Sequence, residues 1–232
     1  MRAGGLFTKT SRHPPCWLLA CLFCLLALPV LTGELQLNEQ SLHRAEQQYG
    51  PDSRQRLQAW QNLLKQEKTG DDQAKLEQVN RFFNRIPFIE DTIHWQQNDY
   101  WATPFEFLAS GGGDCEDFAI AKYFTLVSLG VDENKLTLTY VKALKLNQAH
   151  MVLAYYSAPT AEPLLLDSLS ASIEPSSQRP DLLPVYSLNA SGLWLAKQRG
   201  KGRLIGESSK LQRWQDLLER MTDEFNHPEE KP

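Results

Sequence analysis

Between Cys16 and Leu31 the chain is apolar almost without a break, with Pro29 interrupting it. Further on, apolar residues are spaced. Leu57, Trp60, Leu63 and Leu64 recur three and four apart behind Asp52 and Ser53, which are capping types, so the spacing predicts a helix that ends near Thr69-Gly70. Leu76, Val79, Phe82 and Phe83 repeat the stripe in a second helix from about Asp72, and Pro87 closes that region. Residues 34 to 50 are polar, carry no such stripe and are expected to pack loosely. Residues 88 to 110 hold Phe88, His94, Trp95, Tyr100, Trp101, Phe105 and Phe107 without a clear period. They read either as a long connection packed on the core or as a cleft wall. In the second case Trp95, Tyr100 or Trp101 would lend an N–H or O–H to an oxyanion.

From Phe118 to Leu129 apolar residues return at helical spacing, and Gly130 reads as the stop. Periodicity then changes. Lys135 to Val141 alternates as a half-buried strand does, His150 to Tyr156 is rich in strand formers, and Leu164 to Leu169 follows a turn at 157–163. A simple hairpin centred between Ala158 and Pro159 sets His150 opposite Asp167, with Cβ atoms ~4.5–5.5 Å apart. The prolines at 175, 180 and 184 mark 170–184 as a long surface loop. Val185 to Leu188 and Leu193 to Lys197 flank Asn189-Ala190-Ser191-Gly192 as a second hairpin. Ser208 to Phe225 is an amphipathic helix through Leu211, Trp214, Leu217, Leu218 and Met221, and a charged tail follows.

Arg2, Lys9 and Arg12 precede the first apolar run with no acidic residue near them. Residues 1–33 therefore read as a secretory signal peptide, or else as an uncleaved anchor. Residues 34–232 suffice for one domain with a real core. The whole chain has a formal charge of −4, and the leader's three bases make the remainder more acidic still. An acidic chain without basic clusters excludes the usual nucleic-acid footprint. Of four cysteines, Cys16, Cys21 and Cys24 lie in the leader, and only Cys115 remains. A lone thiol in an exported chain reads as reactive or intermolecularly paired.

Cys115 follows Gly111-Gly112-Gly113-Asp114 and opens the buried helix, with Asp114 at an N-cap position. The positive end of the helix dipole favours a thiolate there. Asp114, Glu116 and Asp117 oppose it, because nearby negative charge raises a thiol pKa. A hard cation with oxygen ligands would cancel that field. A cap followed by a solvated acidic turn is the plainer alternative. Cysteine at a helix N-terminus, then His150, then Asp167 on neighbouring strands is the order a thiol acyl-transfer enzyme needs. Cys115 would attack a carbonyl, His150 would carry the proton and Asp167 would orient the imidazole. His94 is the rival base. Outside the leader no HExxH, CxxC pair or EF-hand loop occurs.

Gly112-Gly113-Asp114-Cys115-Glu116-Asp117, Lys122-Tyr123-Phe124, Ala149-His150-Met151-Val152-Leu153-Ala154-Tyr155 and Leu165-Leu166-Asp167 together resemble the bacterial transglutaminase-like cysteine proteinases. The pattern is similar to that of the LapG-type periplasmic adhesin proteases, and Asp99-Tyr100-Trp101 and Pro104 extend the likeness upstream. One departure is Ser168, which stands where the family usually has Asn.

The resemblance implies a papain/transglutaminase-like α+β fold. Its nucleophile would sit at the N-terminus of a central helix packed on an antiparallel sheet, with extra helices at both ends. It implies a triad of Cys115, His150 and Asp167, and calcium (Ca2+) held by Asp114 and Glu116, with Asp117 as a third acid. It further implies a periplasmic endopeptidase that cuts the N-terminal region of a large outer-membrane-associated adhesin and so promotes biofilm dispersal. An inner-membrane cyclic-di-GMP receptor would restrain it. Two other readings stay open at this point: a transglutaminase-type acyltransferase with the same triad, and a non-enzymatic calcium-binding module.

Overall fold

Asn38 starts the first helix, because its side chain accepts from the Ser41 backbone N–H at 2.8 Å. That helix, α1 (Glu39–Tyr49), buries Leu42 and Ala45, and Leu35 and Leu37 are buried just ahead of it. The polar stretch expected to pack loosely is thus part of the core. Its apolar positions are too few to make a stripe, but each is covered. A computed structural model of the chain describes Met1 and residues 35–65, 70–190, 192–195 and 202–225. The expected leader, the helix end near Thr69, Ser191, the strand end at Lys197 and the charged tail beyond Phe225 lie outside the described residues.

Helices α2 (Pro51–Leu64) and α3 (Asp72–Phe83) carry the two predicted stripes, and Leu57, Trp60, Leu76, Val79 and Phe83 are fully buried. The aperiodic aromatic stretch contains two short helices, α4 (Asp91–His94) and α5 (Pro104–Ser110). Thr103 caps the second in a reciprocal box with Glu106. The central helix α6 (Cys115–Ser128) is buried from Asp117 to Leu126. A 3-10 turn at Ser208–Lys210 leads into α7 (Gln212–Phe225), which buries Trp214, Leu217 and Met221. Among the described residues no helix is long and apolar enough to cross a membrane.

The strands are β1 (Leu136–Ala143), β2 (Gln148–Tyr155), β3 (Leu164–Leu166), β4 (Glu174–Pro175), β5 (Leu182–Leu188), β6 (Leu193–Leu195) and β7 (Arg203–Gly206). They form one antiparallel sheet in the order β4-β3-β2-β1-β5-β6-β7, with α6 packed on β2 and β1. This is a mixed helix-plus-antiparallel-sheet architecture, with a cysteine opening the helix that covers the sheet.

Two expectations need correction. The stretch 170–184 is not one loop, because it contributes β4, a 3-10 turn at Ser176–Gln178 and the start of β5. Pro184 sits inside β5, where the register with β1 shifts between Tyr140 and Val141, and such an irregularity tolerates a residue without an N–H. The hairpin register also differs. Tyr155 pairs with Leu164 and Leu153 with Leu166, so β3 ends before Asp167. The turn centre lies one residue later than simple arithmetic gives, which slides the pairing by two. Because side chains alternate with period two, a slide of two keeps His150 and Asp167 on the same face as diagonal neighbours.

Candidate active site

The loop before Cys115 is held on both sides. Gly111 closes α5 in the left-handed region, at φ 80, where a side chain is strained. Arg56 lies over it and donates to the carbonyls of Leu108 (2.6 Å) and Ala109 (2.7 Å), two of the groups that a helix end leaves open. Gly113 bridges to Phe88, and its carbonyl accepts from the Ile89 N–H at 2.8 Å. A Cβ on Gly113 would collide with the Asp117 carboxylate, so glycine lets that acid fold back on the loop. Asp117 accepts from the Asp114 N–H (3.3 Å) and the Ala102 N–H (2.7 Å) and is fully buried.

The Cys115 thiol donates to the Glu116 carboxylate at 2.9 Å. The sulfur also receives the backbone N–H of Met151, which brings the start of β2 against the first turn of α6. Burial pushes the thiol well above its ordinary value, and the charges of Glu116 and Asp114 push it further.

His150 and Asp167 are both buried, and His150 Nε2 lies 2.7 Å from Asp167 Oδ1. The same oxygen accepts the Leu169 N–H at 3.0 Å, and Oδ2 pairs with Arg179 Nη1 at 2.8 Å. Burial alone would raise the Asp167 pKa, but the His150 hydrogen bond and charge, with the Leu169 and Arg179 contacts, hold it at about 2. An ionised carboxylate only accepts, so Nε2 carries the ring proton and Nδ1 is the basic nitrogen. The Asp167 carbonyl is fixed as well, by Asn84 Nδ2 at 2.9 Å and by the buried Lys122 Nζ at 3.2 Å.

The acids around the sulfur form a larger group than the three singled out from sequence. Carboxylate oxygens of Asp91, Asp114 and Asp117 lie within 4.8 Å of one another, as do those of Asp91, Asp99 and Glu116. Asp114, Cys115 and Glu116 make a third such set. Asp91 therefore links the two halves. Its Oδ2 accepts the Tyr100 N–H, while its Oδ1 and that of Asp114 are buried without a hydrogen-bond partner. Burial and mutual repulsion raise Asp91 to about 6 and Asp114 to about 10, and raise Asp117 strongly. Oxygen donors, two of them orphaned, in a surplus of negative charge suit a hard divalent cation.

Asp91, Arg179 and Asn84 escaped the sequence reading, and Asp99 and Lys122 entered it only as motif residues without a role. Asp91 and Asp99 sit in the aperiodic aromatic stretch, and Arg179 in the proline-rich one, where no spacing points at them. Of the aromatic donors considered for an oxyanion, Tyr100 Oη is committed to Glu106 (2.7 Å) and Trp101 Nε1 to Asp99 (3.0 Å). Trp95 Nε1 and His94 Nε2 are buried without a partner.

The family model for bacterial transglutaminase-like cysteine proteinases matches residues 49–196. Among solved structures, Legionella pneumophila LapG is 50% identical, with 79% of this chain and 95% of that one covered at a TM-score of 0.69. Its EGTA-treated form is 49% identical, covering 81% and 99% at a TM-score of 0.70. Its calcium-bound form is 49% identical, covering 78% and 98% at a TM-score of 0.67. A comparison with curated proteins gives no match. Helix-plus-sheet architecture, the family model and half-identical solved structures agree: this cysteine peptidase belongs to the bacterial transglutaminase-like cysteine proteinase family.

Proposed function

We propose that the chain is a calcium-dependent cysteine endopeptidase of the LapG type, with Cys115 as nucleophile, His150 as proton carrier and Asp167 as the carboxylate that orients it. The carrying observation is the buried His150–Asp167 hydrogen bond, one residue along β2 from the Met151 N–H that meets the Cys115 sulfur. His150 Nδ1 takes the thiol proton as sulfur attacks the scissile carbonyl carbon. The carbonyl oxygen gains the electron pair and meets the Cys115 N–H. The C–N bond then breaks, the amine leaves with the proton from His150, and water hydrolyses the thioester to restore the thiol.

Asp91, Asp114, Asp117, Glu116 and Asp99 are the residues that would hold calcium. Bound there, calcium supplies positive charge against the acidic field that holds the thiol protonated. The calcium-bound and EGTA-treated LapG structures support this reading.

The substrate in this reading is the N-terminal region of a large surface adhesin, met in the periplasm, whose cutting frees the adhesin and disperses a biofilm. The periplasmic domain of an inner-membrane cyclic-di-GMP receptor is the proposed regulator. The likeness to LapG supports these assignments. The test is cleavage of an adhesin N-terminal fragment by the calcium-loaded protein. Cys115→Ala should abolish cleavage, and a chelator should suppress it until calcium returns. Retained cleavage in Cys115→Ala overturns the reading, and incorporation of a labelled amine in place of water would make it an acyltransferase.

A further inference from the structure

We propose that Arg179 is a positioning residue for the reaction, fixing the Asp167 carboxylate so that Oδ1 meets His150. This rests on the catalytic reading of that pair.

Both partners that define the Asp167–imidazole geometry, His150 Nε2 and the Leu169 N–H, sit on Oδ1. The other oxygen accepts no aligned hydrogen bond and is held by the charge of Arg179, whose Nη1 lies 2.8 Å away. Without that contact the carboxylate could turn about its own axis and present either edge to the ring. The guanidinium is in turn anchored. Its Nε and Nη2 donate to the two oxygens of Asp181 at 3.1 and 3.0 Å. Its backbone N–H closes the 3-10 turn on the Ser176 carbonyl, and its carbonyl accepts from the Leu182 N–H. A planar fork can hold two carboxylates at fixed angles, whereas an ammonium is a point charge that serves one.

Burial gives the contact weight. Asp167 is 0% exposed and the Arg179 side chain 12%. A buried carboxylate stripped of its partner is strongly disfavoured. The charges around Asp167 are His150 from β2, Arg179 and its partner Asp181 from the segment before β5, and Lys122 from α6 at the backbone carbonyl. Arg179 is thus the cation that touches the carboxylate group besides the imidazole itself. It offsets part of the carboxylate's negative charge as well as fixing its place beside the ring.

The test follows the His150 imidazole by NMR titration in the full-length, calcium-loaded protein. In Arg179→Met the midpoint should rise by about one pH unit, the usual size for one adjacent charge. Arg179→Lys, whose ammonium serves one carboxylate, should return only part of that shift. Asp181→Asn, which loosens the anchor without touching Asp167, should move the midpoint upward by less. If Arg179→Met does not fold, the other two variants carry the test. A purely structural arginine would lower the melting temperature in both Arg179 variants and leave the midpoint at its wild-type value, and that result overturns the proposal. Failure of the underlying catalytic reading looks different: Asp167→Asn would leave adhesin-fragment cleavage unchanged.

Discussion

His150 and Asp167 meet at 2.7 Å although the sheet does not pair them directly: the register that joins Leu153 to Leu166 sets them diagonally, with Asp167 just past the end of its strand. The contact therefore depends on the turn that follows, where Leu169 closes on the same carboxylate. Asp167→Asn should lower kcat/KM by roughly 10²-fold or more, because the amide can favour the wrong imidazole tautomer. Cleavage of an adhesin fragment measures it.

The same residue gives an acid-stability signature. The Asp167 pKa is held at about 2, below its ordinary value, so its contribution is fully present above about pH 4. It is lost as the pH falls through 2, since the folded carboxylate must then take up a proton. Urea unfolding at pH 6, 4 and 2.5 should show a gap between wild type and Asp167→Asn that narrows at the lowest pH.

Lys122 has the opposite slope. Burial pushes its amine down to about 7, with Asp167 pulling weakly the other way, and its Nζ is bonded to Asn80 Oδ1 at 2.8 Å. Between pH 7 and the ordinary lysine range the unfolded chain holds a proton that the folded one does not. Stability from this group should rise with pH across that window and be absent below it. Lys122→Met should remove the rise, as read by urea unfolding at pH 7, 8.5 and 10.

Glu116 should restrain the thiol when no calcium is present. Its carboxylate accepts from Cys115 Sγ and its charge raises the thiol pKa. In chelator, Glu116→Gln should speed iodoacetamide alkylation of Cys115 at pH 8 by about tenfold, the effect of roughly one pKa unit.

Asp91 should matter for calcium as much as the acids beside the sulfur. It belongs to both oxygen groupings that lack sulfur and carries an orphaned buried oxygen. Asp91→Asn should weaken calcium binding by about tenfold or more by titration calorimetry, since ligand charge count tunes such sites.

Local pattern carried much of this architecture. The stripes of α2, α3 and α7 and the helical spacing of α6 are period signals, and the lone cysteine after three glycines is a motif signal; β1 forms where alternation predicted a half-buried strand, but its Thr137 and Thr139 are buried as well. What stayed hidden depends on long-range packing. α1 buries single apolar residues that make no stripe. Asp91 reaches Asp114 only because the aromatic segment folds back over α6, and Arg179 reaches Asp167 only because the proline-bearing segment crosses the end of β3. The two-residue slide of the hairpin was equally invisible, since it reflects where a turn of irregular shape finds its centre.

Arg56 has a consequence for where this chain can be shortened. It reaches from α2 to the open carbonyls at the end of α5 and lies over Gly111, just ahead of the sulfur. A truncation that removes α2 would strip those carbonyls of their donors. Trimming that keeps this loop braced has to spare α2, so that helix acts as part of the mounting of the nucleophile and is not a dispensable extension.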